Sequence, residues 1–255
     1  MNGFCRTQAP VLQNREQNKD EVVFVTSIGT TQFLYNTFPT QFDFAQFIMS
    51  DQPGAKYCNE LLYGHTCAGY FDIDSTETLE SLGFGSETEF IKKVTEFLKT
   101  NYKKYLGIEL KTKHIHFSCG TRPEKTSYHI IIKHPDYYWD VADRNKLKAF
   151  VRELANESLE VRGLYSYVTK DTEIYKSSIW DTKVYTKNRL FRCLGACKVD
   201  VDVPLLPISK PINVLEILKH LITVTDITDR TKLEFKEKTV AKKTRSLHTT
   251  FVSFC

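Results

Sequence analysis

The sequence predicts an α+β fold, in which an antiparallel sheet packs against helices. The first observation is a pair of β-rich segments, 112–119 and 127–133, that flank a turn at 120–123 and predict a hairpin. The second is the helical spacing of apolar residues behind a capping box formed by Ser86 and Glu89. The third is the order of elements along the chain, which reads strand, helix, hairpin, helix and further strands.

The N-terminal elements predict a small α/β module. Residues 1–20 are polar and aperiodic, which predicts a flexible lead-in. Residues 21–26 are rich in β-branched and aromatic side chains and predict a strand, while residues 42–49 carry enough apolar side chains for a short helix. We therefore assign residues 21–66 to this module.

The main domain is expected over residues 67–225. An apolar strand at its start precedes the helix that begins after Ser86 and is expected to end at Gly107. Asp143 is expected to cap a second helix, whose apolar face carries Leu147, Phe150, Val151 and Leu154. A β-rich stretch over 165–203 and a short helix near 214–221 follow, and residues 226–255 are expected to be a basic tail or linker. This layout resembles an RRM-like palm.

Size and charge narrow the possible functions. The 255 residues are 41% hydrophobic, which is typical of a globular protein. A net charge of +4 permits a polyanionic partner without requiring one. The seven cysteines show no paired Cys-x-x-Cys spacing, which suits a reducing compartment. No apolar run approaches membrane-spanning length and no signal-peptide core is visible, so we expect a soluble intracellular protein without a membrane partner.

Asp72 and Asp74 form the most informative short motif. Side chains two residues apart on a strand point to the same face, so the two carboxylates are expected to lie side by side. Two neighbouring anions repel each other unless a cation lies between them. Carboxylate oxygens are the ligands that Mg²⁺ and Mn²⁺ prefer, so the pair indicates a divalent-metal site.

A second strand carries groups that suit phosphate. Ser127 and His129 share one face of the predicted strand, and Lys125 falls on the same face if the strand begins there. The three side chains form a row of hydrogen-bond donors for phosphate oxygens. The alternative interpretation is that His129 is a buried strand histidine without a ligand.

The segment 180–198 is the most specific signal in the chain. Asp181 precedes a basic cluster formed by Lys187, Arg189, Arg192 and Lys198. Arginine binds phosphate in a forked geometry, and lysine acts as a point charge. The alternative is a solvated basic strand, but Val184, Leu190 and Phe191 indicate that the strand is partly buried.

Together these segments resemble the archaeo-eukaryotic primase superfamily, within it the primase-polymerases and the primase halves of large DNA-virus primase-helicases. The family pattern is Asp-x-Asp/Glu, then Ser-x-His, then a segment like Asp-x-x-Val-Tyr-x-x-Asn-Arg-x-Phe-Arg. All three occur in order, at 72–74, 127–129 and 181–192. The resemblance covers about 55–200 and implies an RRM-like catalytic palm with an N-terminal α/β module against it.

The resemblance also implies roles for individual residues. Asp72, Asp74 and Asp181 would be the catalytic ligands of two Mg²⁺ or Mn²⁺ ions. The triphosphate of the incoming nucleotide would be held by Lys125, Ser127, His129, Arg189, Arg192 and Lys198. The aromatic side chain of Phe42 roughly occupies the place where relatives keep a sugar-discriminating residue. His114 and His116 are expected to share a strand face and to lie at the surface or toward the template.

Two departures from the family qualify the resemblance. Members of this branch often carry a C-terminal zinc module, and we expect no zinc site in this chain. Virus-type members continue into a helicase, yet no Gly-x-x-x-x-Gly-Lys-Ser/Thr motif is present. The sequence is therefore expected to represent a catalytic core that works with a replicative helicase on the same or another polypeptide, at a viral replication site.

The function predicted from the sequence is template-directed nucleotidyl transfer by a DNA primase or primase-polymerase. Its partners would be a single-stranded DNA template and nucleoside or deoxynucleoside triphosphates. The alternative is a non-catalytic nucleic-acid-binding module on an RRM-like sheet, and a lesser alternative is a two-metal nuclease. The complete set of three acids with Arg189 and Arg192 favours the polymerase.

Overall fold

Helices and antiparallel sheets make up the fold, so the predicted α+β class is confirmed. The computed structural model describes residues 5–17, 21–28, 32–52, 54–62, 66–120, 124–140, 144–186, 189–201, 203–208 and 210–236. Its helices are α1 (Gln8–Gln17), α2 (Gln41–Ile48), α3 (Glu87–Leu106), α4 (Arg144–Ser158) and α5 (Val214–His220). Its strands are β1 (Val22–Ser27), β2 (Phe33–Phe38), β3 (Cys58–Leu61), β4 (Thr66–Cys67), β5 (Gly69–Ser75), β6 (Ile115–Cys119), β7 (Thr126–Ile132), β8 (Tyr137–Asp140), β9 (Tyr165–Lys170), β10 (Glu173–Ser178), β11 (Leu190–Arg192), β12 (Leu206–Pro207), β13 (Thr223–Val224) and β14 (Thr231–Lys232).

The central sheet has the strand order β12-β6-β7-β5, and its neighbouring strands are antiparallel. Strand β7 lies between β5 and β6 and is buried along its whole length. The pairing of β5 with β7 places Asp72 opposite His129 and Asp74 opposite Ser127. This register brings the two short motifs onto one face of the sheet.

Helices α3 and α4 pack on the central sheet in one hydrophobic core. The Ser86 hydroxyl accepts a hydrogen bond from the Glu89 amide at 3.2 Å, which begins α3 as predicted. Gly107 ends that helix with a positive φ of 72°, also as predicted. The predicted apolar face of α4 is buried, although its expected cap at Asp143 lies outside the described residues.

A second sheet has the order β11-β3-β1-β2 and contains most of the predicted N-terminal module. Its edge strand β11 comes from the basic segment much later in the chain. The predicted β-rich stretch over 165–203 does contain three strands, but they belong to two different sheets. Strands β9 and β10 pair with each other, while β11 leaves them and joins the N-terminal sheet.

The predicted flexible lead-in is wrong for residues 8–17, which form α1. Val11 on this helix is buried in a small cluster with Val23, Val25 and Leu61 of the N-terminal sheet. A helix that buries so few apolar residues has little hydrophobic periodicity, so its sequence resembles a polar linker.

The predicted tail is likewise wrong for residues 226–236. Strand β14 pairs with β8, and the Phe235 ring lies 5.9 Å from the ring of Tyr105 and 5.6 Å from that of Phe150. Residues 237–255, which carry most of the basic stretch, lie outside the described part of the chain. Among the helices that the structure describes, none is long and apolar enough to cross a membrane.

A buried carboxylate joins the N-terminal sheet to the segment that follows α5. Glu60 on β3 is almost fully buried and accepts hydrogen bonds from the amides of Ile222 at 2.7 Å and Thr223 at 3.0 Å. Burial raises the pKa of Glu60, while these two amides and Lys133 lower it. Ile222 in turn accepts a hydrogen bond from the amide of Ala68, just before β5, so Glu60 connects the two sheets.

We predict that Glu60→Ala lowers the free energy of unfolding by about 2–6 kcal/mol, because two buried amides lose their acceptor at about 1–3 kcal/mol each. Glu60→Gln keeps one acceptor oxygen and removes a buried charge, so its cost should be on the order of 1 kcal/mol. Urea unfolding measures both values. An equal loss in the two variants would show that the charge of Glu60, not its number of acceptors, holds this segment.

Candidate functional site

A cavity of about 360 Å³ lies between the central sheet and the N-terminal sheet. Both sheets supply its walls, together with the segment between β10 and β11, which carries Asp181 and Arg189. Of the nine site residues predicted from the sequence, eight line the cavity: Asp72, Asp74, Ser127, His129, Asp181, Arg189, Arg192 and Lys198. The ninth, Lys125, lies beside it and contacts Asp74 through its ammonium group.

Backbone pairing brings the third acid next to the first two. The segment after β10 runs antiparallel to β5, with Trp180 opposite Ile73. The Asp181 amide donates to the Asp72 carbonyl at 2.8 Å, and the Asp74 amide donates to the Ile179 carbonyl at 3.0 Å. These bonds fix Asp181 beside the Asp-x-Asp pair, although the residues are far apart in sequence.

The carboxylates are close enough to affect one another's ionisation. Burial, together with the negative charges of Asp74 and Asp181, raises the pKa of Asp72 to about 7. Arg192 and Lys198 act in the opposite direction. This wall of the cavity therefore favours an added positive charge, because a cation would offset both the burial and the repulsion.

The chemistry of the three acids suits a hard divalent cation, but their present contacts differ from a coordination shell. Lys125 holds a carboxylate oxygen of Asp74, and Asp181 Oδ1 accepts a hydrogen bond from the Lys183 amide at 2.7 Å. Within the described ranges, no group of three or more His, Cys, Asp or Glu side chains is already arranged to hold a metal ion. Metal binding therefore requires Asp74 to exchange Lys125 for the cation.

His129 faces the acids as a neutral imidazole. Its Nε2 lies 3.8 Å from Asp72 Oδ1, and its ring packs on Phe191 with the ring centroids 4.3 Å apart. Burial, together with the charges of Arg192 and Lys198, lowers the pKa of His129 to about 3. At pH 7 the imidazole therefore offers hydrogen bonds without adding a charge.

The opposite wall of the cavity is basic. Arg192 lies on β11, Arg189 just before that strand, and Lys198 in the loop that follows it. Burial lowers the pKa of Lys198, and so do the neighbouring charges of Arg192 and Lys125. Mutual repulsion among cations indicates that this wall is suited to an anion of more than one charge.

Gly120 lies next to this basic wall and was not identified from the sequence. A Cβ atom at this position would lie 3.0 Å from Nη2 of Arg192 and 3.8 Å from Oγ of Ser127. The absence of a side chain at Gly120 therefore leaves room for the guanidinium group.

Sequence reasoning also missed Ser27 and Asn59, which line the cavity from the N-terminal sheet. Asn59 pairs with Arg192 on one side and with Val25 on the other, so these residues share a face with Ser27. Its Nδ2 donates to the carbonyl of Tyr57 at 3.0 Å and more weakly to Val25 and Ser27, which leaves Oδ1 as an acceptor for a ligand. No local motif signals this role, because it depends on the long-range pairing of β3 with β11.

Three weaker sequence predictions differ from the structure. Phe42 lies half exposed on α2 and is not among the described residues that line the cavity. His114 belongs to a 3₁₀ turn and precedes β6, so it does not share a strand face with His116. His114 packs on His134, whereas His116 packs on His220. Lys187 of the basic cluster lies outside the described residues.

No model of a known protein family matches the chain, and no curated protein sequence matches it. The functional interpretation therefore depends on the chemistry and arrangement of the residues around this cavity.

We predict that Asp72→Asn raises the melting temperature of the metal-free protein at pH 8. The pKa of Asp72 is raised from 3.8 to about 7, so ionisation of this carboxyl progressively destabilises the fold as pH rises through that window. Each kcal/mol of relieved repulsion should raise the melting temperature by about 2–4 °C.

Thermal unfolding in the presence of a chelator at pH 8 and at pH 4.5 measures this effect. Asp72→Asn should raise the melting temperature more at pH 8 than at pH 4.5, because the carboxyl of Asp72 in the unmodified protein is ionised at pH 8. The matched control is Asp51→Asn at an exposed position outside the cavity, which should show no such difference. A destabilised Asp72→Asn protein at pH 8 would contradict the repulsion described above.

Proposed function

We propose that this chain is the catalytic core of a DNA primase-polymerase, a nucleotidyltransferase that extends a strand on a single-stranded DNA template. One observation carries the proposal. Three segments that are distant in sequence meet at a single cavity, with the acids and the phosphate-binding donors Ser127 and His129 on one wall and a cluster of cations on the other. Template-directed nucleotide transfer needs both walls at once, since it handles a divalent metal and a triphosphate together.

We further propose that the central sheet with α3 and α4 is an RRM-like palm, and that the chain belongs to the archaeo-eukaryotic primases. The antiparallel order β12-β6-β7-β5 and the helices packed on it support this assignment. The N-terminal sheet supplies the opposite wall of the cavity through β3 and β11.

In the proposed reaction Asp72, Asp74 and Asp181 hold two Mg²⁺ or Mn²⁺ ions. Bound there, these ions would activate the 3′ oxygen of the growing strand and polarise the α-phosphate. Arg189, Arg192 and Lys198 bind the β- and γ-phosphates and offset the charge of the departing pyrophosphate.

The neighbouring side chains of β7 orient the nucleotide. His129 and Ser127 donate hydrogen bonds to phosphate oxygens, and the neutral state of His129 lets it do so without repelling Arg192. Lys125 lies against Asp74, and with a cation held by the acids its ammonium group would be available to the triphosphate.

The proposed partners follow from this reaction. They are a single-stranded DNA template, nucleoside or deoxynucleoside triphosphates, and a replicative helicase on the same or a separate polypeptide. A viral replication site inside the host cell is the proposed location.

A second candidate is a non-catalytic nucleic-acid-binding module. The contact between Lys125 and Asp74 favours it, since a lysine there takes the place that a cation would need. The two candidates differ in a direct assay. Incubation with a primed template, labelled nucleotides and Mg²⁺ or Mn²⁺ gives longer products only if the chain is a polymerase.

We predict that Asp72→Ala, Asp74→Ala and Asp181→Ala each abolish nucleotide incorporation, because the two-metal arrangement needs all three acids. Primer extension measures the loss, and circular dichroism checks that each variant remains folded. Asp51→Ala, which removes an exposed acid outside the cavity, is the matched control and should extend primers normally. Synthesis at the normal rate by one of the three variants would remove that residue from the metal site.

We also predict that Arg189→Ala raises KM for the nucleotide and slows transfer. Each charged hydrogen bond to a phosphate that is lost should cost about 1.5–3 kcal/mol in kcat/KM. Arg152→Ala on the exposed side of α4 removes the same charge away from the cavity and should leave both constants unchanged. Equal kinetics for the two variants would remove Arg189 from the proposed triphosphate site.

A further inference from the structure

An exposed hairpin projects from the protein next to the candidate site. Strands β9 and β10 pair with each other and with no other described strand. The hairpin presents large apolar side chains to solvent, among them Tyr167 at 62% exposure and Ile174 at 70%. A two-stranded sheet is marginally stable by itself, and exposed apolar groups of this size indicate a contact surface.

The second strand of the hairpin leads directly into the segment that carries Asp181. Strand β10 leads into Ile179, whose carbonyl accepts a hydrogen bond from the Asp74 amide, and then into Asp181. Because this segment runs antiparallel to β5, the base of the hairpin lies beyond the end of β5 that carries Asp74. The cations of the basic wall belong to β11 of the N-terminal sheet and its flanking loops instead.

A second cavity of about 300 Å³ lies at the base of the hairpin. Its lining includes Glu77 from the loop after β5, Arg162 before β9, and the aromatic residues Tyr165 and Tyr167. Glu77 follows Asp74 by three residues, so the chain leads from the acids directly to this second cavity.

One face of the hairpin combines aromatic rings with a cation. The register places Lys176 opposite Tyr167 and Ser178 opposite Tyr165, so alternate residues share this face. The rings of Tyr165 and Tyr167 meet edge to face with centroids 5.5 Å apart. Lys176 Nζ lies 4.4 Å from the centroid of the Tyr165 ring. Aromatic rings flanked by cations are the combination that binds unpaired bases and their phosphates.

We propose that the face of the hairpin formed by Tyr165, Tyr167 and Lys176, with Arg162 and the adjoining cavity, binds single-stranded nucleic acid close to its reacting end. The location rests on the proposed function, since it assumes that the strand end lies at Asp72, Asp74 and Asp181. The binding chemistry does not, because stacking and phosphate contacts need no catalysis.

A protein partner is the competing occupant, and the other face of the hairpin carries Val168 and Tyr175. Two observations favour nucleic acid on the face with Tyr167. On that face Lys176 lies over the ring of Tyr165. The cavity at the base of the hairpin is lined by Glu77, which closely follows the acids of β5 in the chain.

The test measures binding of a fluorescein-labelled oligothymidylate to the full chain by anisotropy, with chelator and without nucleotide. Tyr167→Ala should weaken binding about 5- to 150-fold, the range for loss of one stacked base. Tyr167→Phe keeps the ring and should bind within about twofold of the original protein. Ile174→Ala removes a more exposed apolar side chain from the same face and is the matched control, with no expected change.

A further variant tests the phosphate contact. Arg162→Gln keeps the length of the side chain and should make the dependence of affinity on salt shallower, by roughly 0.7 in the logarithmic slope for one phosphate on a single strand. Thermal unfolding of every variant verifies that the hairpin changes leave the core intact.

Unchanged affinity in Tyr167→Ala would overturn the proposal. An equal loss in Ile174→Ala would also overturn it and would indicate a general apolar surface that suits a protein partner. Primer extension by the unmodified chain separates this inference from the proposed function. If the chain extends primers but its affinity does not depend on Tyr167, only the hairpin proposal fails. If its affinity depends on Tyr167 but it extends no primer, only the catalytic proposal fails.

Discussion

The pairing of β5 with β7 is the constraint on which the candidate site depends. It sets Asp72 against His129 and Asp74 against Ser127, and it turns Ile73 and Tyr128 into the core, where both are fully buried. Because side chains alternate between faces, a slip of one residue would exchange the acids for core residues. Burial of the apolar side chains on both strands therefore enforces the arrangement of the polar ones.

Opposite charges then divide the cavity. The acids come from the central sheet and the segment beside it, whereas Arg192 comes from β11 in the other sheet. Each wall is unfavourable alone, since burial and like charges raise the pKa of Asp72 and lower that of Lys198. A metal bound with a polyphosphate would offset both walls, which gives a physical reason for keeping the two sheets together through contacts such as that of Glu60 with Ile222.

Local patterns predicted the elements that have local causes. The N-cap at Ser86, the stop at Gly107 and the buried face of α4 depend on neighbours within a few residues, and the structure has all three. The Glu89 carboxylate of the predicted capping box accepts from the Gly85 amide instead of the Ser86 amide. The predictions failed where tertiary contacts decide. Helix α1 is held by Val11, and residues 226–236 by Leu233 and Phe235. One or two anchoring side chains leave too little periodicity to detect.

By itself, the sequence determined which residue types are available to the site and, through the two-residue alternation of strands, which of them share a face. Eight of the nine predicted side chains accordingly line one cavity. Only the tertiary structure decided that β11 joins the N-terminal sheet, that Asn59 and Ser27 therefore face Arg192, and that Gly120 leaves room for its guanidinium. The reason is that alternation is a property of one strand, whereas strand pairing depends on burial shared by segments far apart in the chain.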